Sequence, residues 1–111
     1  MPAMVRLRVL PAEIEIEARV GQTVMQAAAA SGLYWPTTCG GQGLCTTCLL
    51  EVIDGGECLV EMSRGEVRTL TAERGASILL RPVRLACQAV VRAGPLVVVS
   101  KPGVRAADAD P

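Results

Sequence analysis

Four of the five cysteines in this 111-residue chain have a spacing that suits one kind of chemistry. Cys39, Cys45 and Cys48 fall within C-G-G-Q-G-L-C-T-T-C, separated by five and then two residues. Cys87 lies thirty-nine positions beyond Cys48, in R-L-A-C-Q. Thiolates are soft ligands for iron and zinc. Three of them in a glycine-rich loop, with one distant partner, form the ligand pattern of an iron-sulfur cluster rather than a disulfide framework. Two irons bridged by two sulfides need four inward-pointing thiolates, which no single turn of chain can supply. A loop must wrap one side and a separate segment must close the other.

The residues between the cysteines fit that use. Gly40, Gly41 and Gly43 allow positive φ and close approach of the backbone to an inorganic core. Backbone N–H groups can then point at the sulfurs and offset their negative charge. Thr46 and Thr47 are small enough to leave room there and can donate hydroxyls, or can be plain solvated loop residues. The rival for the cysteines is structural zinc. Zinc sites come as paired C-x-x-C knuckles or Cys/His mixtures, whereas this chain has one knuckle and no histidine.

The loop C-x5-C-x2-C with a later R-L-A-C-Q resembles the vertebrate/bacterial-type 2Fe-2S ferredoxins, the adrenodoxin- and putidaredoxin-like group. In that group the first gap is five residues, against four in the photosynthetic plant ferredoxins. The resemblance runs from about Met4 to Val104, and Y-W-P-T-T-C-G-G-Q-G-L-C-T-T-C is also similar to stretches of other bacterial ferredoxins. It implies an α+β fold of the β-grasp (ubiquitin-like) type, a mixed sheet with one main helix and a cluster-binding loop. It implies a 2Fe-2S cluster held by Cys39, Cys45, Cys48 and Cys87. It further implies a one-electron carrier that accepts from a flavoprotein ferredoxin reductase and delivers to a terminal oxidoreductase, such as a haem-thiolate monooxygenase. The alternative is a protective, regulatory or cluster-assembly iron-sulfur protein that docks on a partner enzyme.

Composition sets the frame. The length suits one domain with one modest core, working as a monomer. Half the residues are hydrophobic, yet Tyr34 and Trp35 are the only aromatics, so the core is to be built from Val, Leu, Ile and Ala. No apolar run approaches a membrane span, and the N-terminus lacks a basic segment followed by an apolar one. A cytoplasmic protein with reduced thiols is expected. Eleven basic and eleven acidic side chains balance, with no basic block for nucleic acid or a membrane surface. A bound cluster would change that sum, since its core and four thiolates carry a formal charge of about −2 when oxidised and −3 when reduced. A fully ligated cluster leaves no open position for substrate, unlike catalytic metals. The chain also offers no acid/base pair or nucleophile near the loop, so no enzyme is expected.

The remaining elements must hold the two ligand segments together. Val5, Leu7 and Val9 alternate with arginines, and Ile14, Ile16 and Ala18 alternate with glutamates. Period two predicts two strands with one buried face each. A hairpin about Pro11-Ala12, through a type I turn with Pro11 second, sets Val9 opposite Ile14 and Leu7 opposite Ile16. The same register sets Arg8 opposite Glu15 and Arg6 opposite Glu17. Thr23 is the N-cap expected for V-M-Q-A-A-A-A-S, with Gly32 at its C-terminal end. L-L-E-V-I after Cys48 reads as a strand stopped by Asp54-Gly55-Gly56. Val83, Leu85, Cys87, Ala89 and Val91 read as one face of a strand with Cys87 at its middle, and L-V-V-V-S as a last strand after the Gly94-Pro95 turn.

Between Met62 and Arg74 the sequence predicts an irregular stretch and then a short helix, Val67 and Leu70 inward, Arg68 and Glu73 outward. In the resembled group this region is an acidic docking surface. Here Arg64, Arg68 and Arg74 dilute Glu61, Glu66 and Glu73. Tyr34 and Trp35 are read as packing residues rather than an electron path, and Cys58, outside the ligand spacing, as a small buried hydrophobe. The domain is expected to span residues 1–100, with a polar, mobile tail over residues 101–111.

Overall fold

The computed structural model describes residues 4–35 and 48–106. Its first element is the hairpin. Strands β1 (Met4–Leu10) and β2 (Ile14–Arg19) pair antiparallel with Val9 opposite Ile14, Leu7 opposite Ile16, Arg8 opposite Glu15 and Arg6 opposite Glu17. The alternation dictates this, because a slip of one residue would put the arginines into the core. The closest ion pairs run diagonally, Arg6 to Glu15 at 3.7 Å and Arg8 to Glu13 at 3.8 Å, and all four side chains are exposed. Such pairs are worth at most about 1 kcal/mol each. The connecting turn departs from the expected type I form: Leu10–Pro11 is cis and Glu13 takes a left-handed φ of 57°.

Helix α1 (Val24–Ala30) begins at Thr23, whose hydroxyl accepts the Gln26 N–H while the Gln26 side chain accepts the Thr23 N–H. This reciprocal box satisfies two donors the first turn would otherwise leave open. Val24, Ala27 and Ala28 face the sheet, and Gly32, at φ 77°, follows the C-cap Ser31. A two-residue strand β3 (Leu33–Tyr34) comes next.

Strand β4 (Leu49–Asp54) starts directly after Cys48 and ends at Gly55. Gly55 combines φ 77° with a close approach to the Leu96 carbonyl that a Cβ would obstruct. A short 3-10 turn, Gly56–Cys58, leads to helix α2 (Arg64–Arg74), capped by the Ser63 hydroxyl on the Glu66 N–H. So the 62–74 region is mostly helix, and α2 is the longer of the two. Leu70 is buried and Val67 half-buried, as the pattern predicts, but the inward position beside them is Glu66, only 1% exposed.

Strand β5 is short, Val83–Leu85, and β6 is Leu96–Ser100. The five-stranded sheet has the order β2-β1-β6-β4-β5, with β1 and β6 parallel at its centre and the other pairs antiparallel. Val5, Leu7, Val9, Leu50, Val97 and Val99 are buried on it together with α1. That mixed sheet is a β-grasp arrangement.

Two expectations change here. Cys87 does not sit at the middle of a strand, because the chain turns after Leu85. The Gln88 and Ala89 N–H groups both return to the Leu85 carbonyl. The segment read as a tail is also packed as far as Ala106. Lys101 donates its N–H to the Leu10 carbonyl, Val104 is buried, and a two-residue strand β7 (Arg105–Ala106) pairs with β3. Residues 107–111 lie outside the described part.

Candidate metal centre

The ligand segments meet because of strand register. In the β4–β5 ladder Leu49 lies opposite Leu85, so the residue before β4 and those after β5 emerge at the same end of the sheet. The ladder continues one step, with the Ala86 N–H reaching the Cys48 carbonyl at 3.4 Å. Cys48 and Cys87, thirty-nine positions apart, thereby bring their sulfurs to 3.5 Å. Both are buried.

That distance discriminates between chemistries. A disulfide requires about 2.05 Å between sulfurs, so the pair is not one. Two thiolates on one tetrahedral metal, with bonds of about 2.3 Å, stand about 3.8 Å apart. The observed pair is close to that value. Burial above all pushes the Cys48 thiol up to about 12, so Cys48 favours its neutral thiol unless a cation shares the site. A coordinated metal supplies that charge and deprotonates the thiols outright. The donor set therefore fits a thiolate-bound metal centre.

The sulfurs have further neighbours. The Gln88 side-chain amide donates to Cys87 Sγ at 3.7 Å. Trp35, 5% exposed, donates its indole N–H to the Cys48 carbonyl at 3.1 Å. Behind Cys87, the Glu66 carboxylate accepts two bonds from Arg84, at 2.9 and 3.0 Å, and a third from the Leu85 N–H at 2.8 Å. None of these roles was read from the sequence. Gln88 stands directly after Cys87, which was a usable signal; Glu66 resembled one more surface charge.

Of the sequence-predicted ligands, Cys48 and Cys87 come together, while Cys39 and Cys45 lie outside the described residues with Gly40, Gly41, Gly43, Thr46 and Thr47. Cys58 is 1% exposed, packed against Gly94 with its thiol facing the Leu96 carbonyl at 3.8 Å. It is the buried small hydrophobe the spacing suggested. The two aromatics divide: Trp35 packs inside, but Tyr34 is 45% exposed and lies under the Arg105 guanidinium, 4.9 Å from its ring centre. Among the described residues no helix is long and apolar enough to cross a membrane.

A β-grasp sheet with facing thiols at one end fits a thiolate-ligated metalloprotein. More specifically, the chain belongs to the 2Fe-2S iron-sulfur cluster binding domain family, whose pattern matches residues 7–92. It is a ferredoxin of that family, and the family's cofactor is a 2Fe-2S cluster. It is 34% identical over 88 residues to 2Fe-2S ferredoxin-5 of Aquifex aeolicus, covering 79% of this chain and 88% of that one. It is 38% identical over 74 residues to the aromatic O-demethylase reductase subunit of an Amycolatopsis strain, covering 67% of this chain and 20% of that protein. Other curated relatives are matched over about a third of their length (33% and 36%). The crystal structure of an ISC-like [2Fe-2S] ferredoxin from Pseudomonas putida superposes with a TM-score of 0.67 at 28% identity, covering 92% of this chain and 93% of that one.

Proposed function

We propose that this ferredoxin is a one-electron carrier whose 2Fe-2S cluster is held by Cys39, Cys45, Cys48 and Cys87. It takes electrons from a flavoprotein reductase and passes them to a terminal oxidoreductase, with a haem-thiolate monooxygenase as the leading candidate. The observation that carries the reading is the 3.5 Å separation of the Cys48 and Cys87 sulfurs at the end of the β4–β5 ladder. When bound, such a cluster accepts and releases a single electron.

The chain's own residues supply the rest. Cys48, directly before β4, and Cys87, in the turn after β5, would close one side of the centre from the hydrogen-bonded end of that ladder, which limits movement between redox states. Their burial excludes water, and the Gln88 amide offers a hydrogen bond that strengthens as charge grows on sulfur. A centre with four cysteine ligands exchanges electrons rather than binding substrate, so the protein serves other enzymes instead of catalysing a reaction itself. The likeness to a reductase subunit supports a flavoprotein as the electron donor.

Anaerobically purified protein tests this. Two irons and two acid-labile sulfides per chain, with a brown visible spectrum bleached by one electron from a flavoprotein reductase, are expected. A colourless protein that binds a single zinc ion ends the proposal.

A further inference from the structure

Trp35 is the chain's one tryptophan, and its indole donates to the carbonyl of a proposed cluster ligand. A buried indole N–H needs an acceptor, and many backbone carbonyls would satisfy it. The one used here belongs to Cys48, thirteen positions later, on the far side of residues 36–47. That carbonyl is already reached by the Ala86 N–H at 3.4 Å, from the residue before Cys87. Ala86 in turn accepts the Met25 N–H at 3.0 Å, from the first turn of α1. A single carbonyl oxygen thus joins three segments: the chain before residues 36–47, the chain after them, and the turn that carries Cys87.

We propose that Trp35 is a positioning residue for the metal centre, an inference that rests on the carrier reading above. The shared Cys48 carbonyl fixes the peptide from which the Cys48 sulfur hangs and holds it in register with Cys87. The indole bond also ties together the two chain ends that border Cys39 and Cys45. Both functions need the N–H, not only the bulk of the ring. Packing alone would be met by any large apolar side chain in the same place. The carbonyl has two lone pairs and keeps its Ala86 partner when the indole is lost, so removing the donor frees an orientation without stranding a buried group.

The test is Trp35→Phe in the cluster-loaded protein, compared with wild type and Trp35→Ala. Phe keeps an aromatic ring and lacks the donor. Positioning predicts that Trp35→Phe loses its visible absorbance to an iron chelator about fivefold faster than wild type, the weight of one ordinary hydrogen bond. It also predicts shifted iron–cysteine stretching bands in the resonance Raman spectrum. A phenylalanine variant with wild-type bands and bleaching rate, only the alanine variant departing, overturns the proposal and leaves packing as the explanation. Should Trp35→Phe fail to take up a cluster, the ultraviolet Raman band of the single wild-type indole decides: a free N–H overturns the proposal, a bonded one upholds it. Wild-type protein without iron and sulfide sinks the carrier reading instead, so the two failures are separate.

Discussion

Glu66 and Arg84 form a two-point ion pair, Nε to Oε2 at 2.9 Å and Nη2 to Oε1 at 3.0 Å, with the carboxylate side chain fully buried and the guanidinium 12% exposed. The pair links α2 to the middle of β5, three residues before Cys87. The Leu85 N–H adds a third bond to the same carboxylate, so this glutamate ties helix, strand and ligand turn together.

Removing one partner should be costly and removing both should not. Glu66→Leu strands Arg84 in a nearly dry site, and breaking a buried pair this way costs about 3–5 kcal/mol. The Leu85 N–H is stranded as well, which adds to the loss. Glu66→Gln, which keeps an acceptor for Leu85, should lose less. A Glu66→Leu/Arg84→Met double variant should recover much of the loss. Chemical denaturation of the three holoproteins checks this. Equal destabilisation by the single Leu and double variants would show that the ion pair itself is not what α2 depends on.

The cysteines separate by role. Cys45→Ser should abolish or badly destabilise the cluster, because oxygen is a poor substitute for a soft thiolate. Cys58→Ser should keep two irons and two sulfides, at a cost of about 1–3 kcal/mol for a hydroxyl buried against Gly94 and the Leu96 carbonyl. Iron and sulfide analysis of the two purified variants decides the matter. A colourless Cys58 variant that is otherwise folded would overturn the ligand set.

Much of this architecture was legible in the residues, and the reason is alternation. Arg6, Arg8, Glu15 and Glu17 must face water, which leaves the β1–β2 hairpin one register. Thr23 and Gln26 mark the start of α1 in the same direct way. Cys87 was misplaced because apolar residues at 83, 85, 87, 89 and 91 keep their burial even though the chain turns after Leu85. Hydrophobic spacing reports which residues are inside, not which backbone conformation puts them there. Glu66 misled for a related reason. It stands three residues after Ser63 at a helix start, where glutamate ordinarily caps or faces solvent. Only the fold brings Arg84 to it, and no local pattern encodes that meeting. Cys39 and Cys45 remain readings from spacing, outside the described residues.

The burial of Glu66 also changes the surface that partners meet. Across residues 61–81 the exposed charges are Glu61 and Glu73 against Arg64, Arg68, Arg74 and Arg81. A concentrated acidic face is therefore absent from this described stretch. Exposed charges are screened beyond about 8 Å at physiological ionic strength. Electron transfer from the cognate reductase should fall by less than about tenfold as salt rises from low to moderate, well short of the most strongly steered associations. Stopped-flow reduction across a salt series measures it, and a drop of several orders of magnitude would reveal an acidic docking patch elsewhere.

The last prediction concerns the reduction potential, where the neighbours of Cys87 decide the sign. Arg84 and Arg92 flank it in sequence, but Arg84 is ion-paired and Arg92 is exposed, where water and salt screen its charge. Arg84 is neutralised by Glu66, and Arg92 donates to the Glu57 carbonyl at 2.7 Å. Among the described residues, the N–H donor directly on the sulfur is the Gln88 amide at 3.7 Å. Its N–H favours the reduced state, in which the sulfur carries more negative charge. Gln88→Leu keeps similar bulk and removes the donor, so the midpoint should move to more negative values. A contact this long should differ between redox states by about 0.5–1 kcal/mol, which for a one-electron couple is on the order of 20–40 mV. The wild-type midpoint itself should lie above the roughly −400 mV of plant-type ferredoxins, because the chain is neutral overall and the Glu66 carboxylate, bonded to the Leu85 N–H, is paired with Arg84. Protein-film voltammetry of both proteins reads the two values together. A Gln88→Leu midpoint equal to or above wild type would show that the amide does not address the sulfur, and a wild-type value at or below the plant-type one would sink the charge argument.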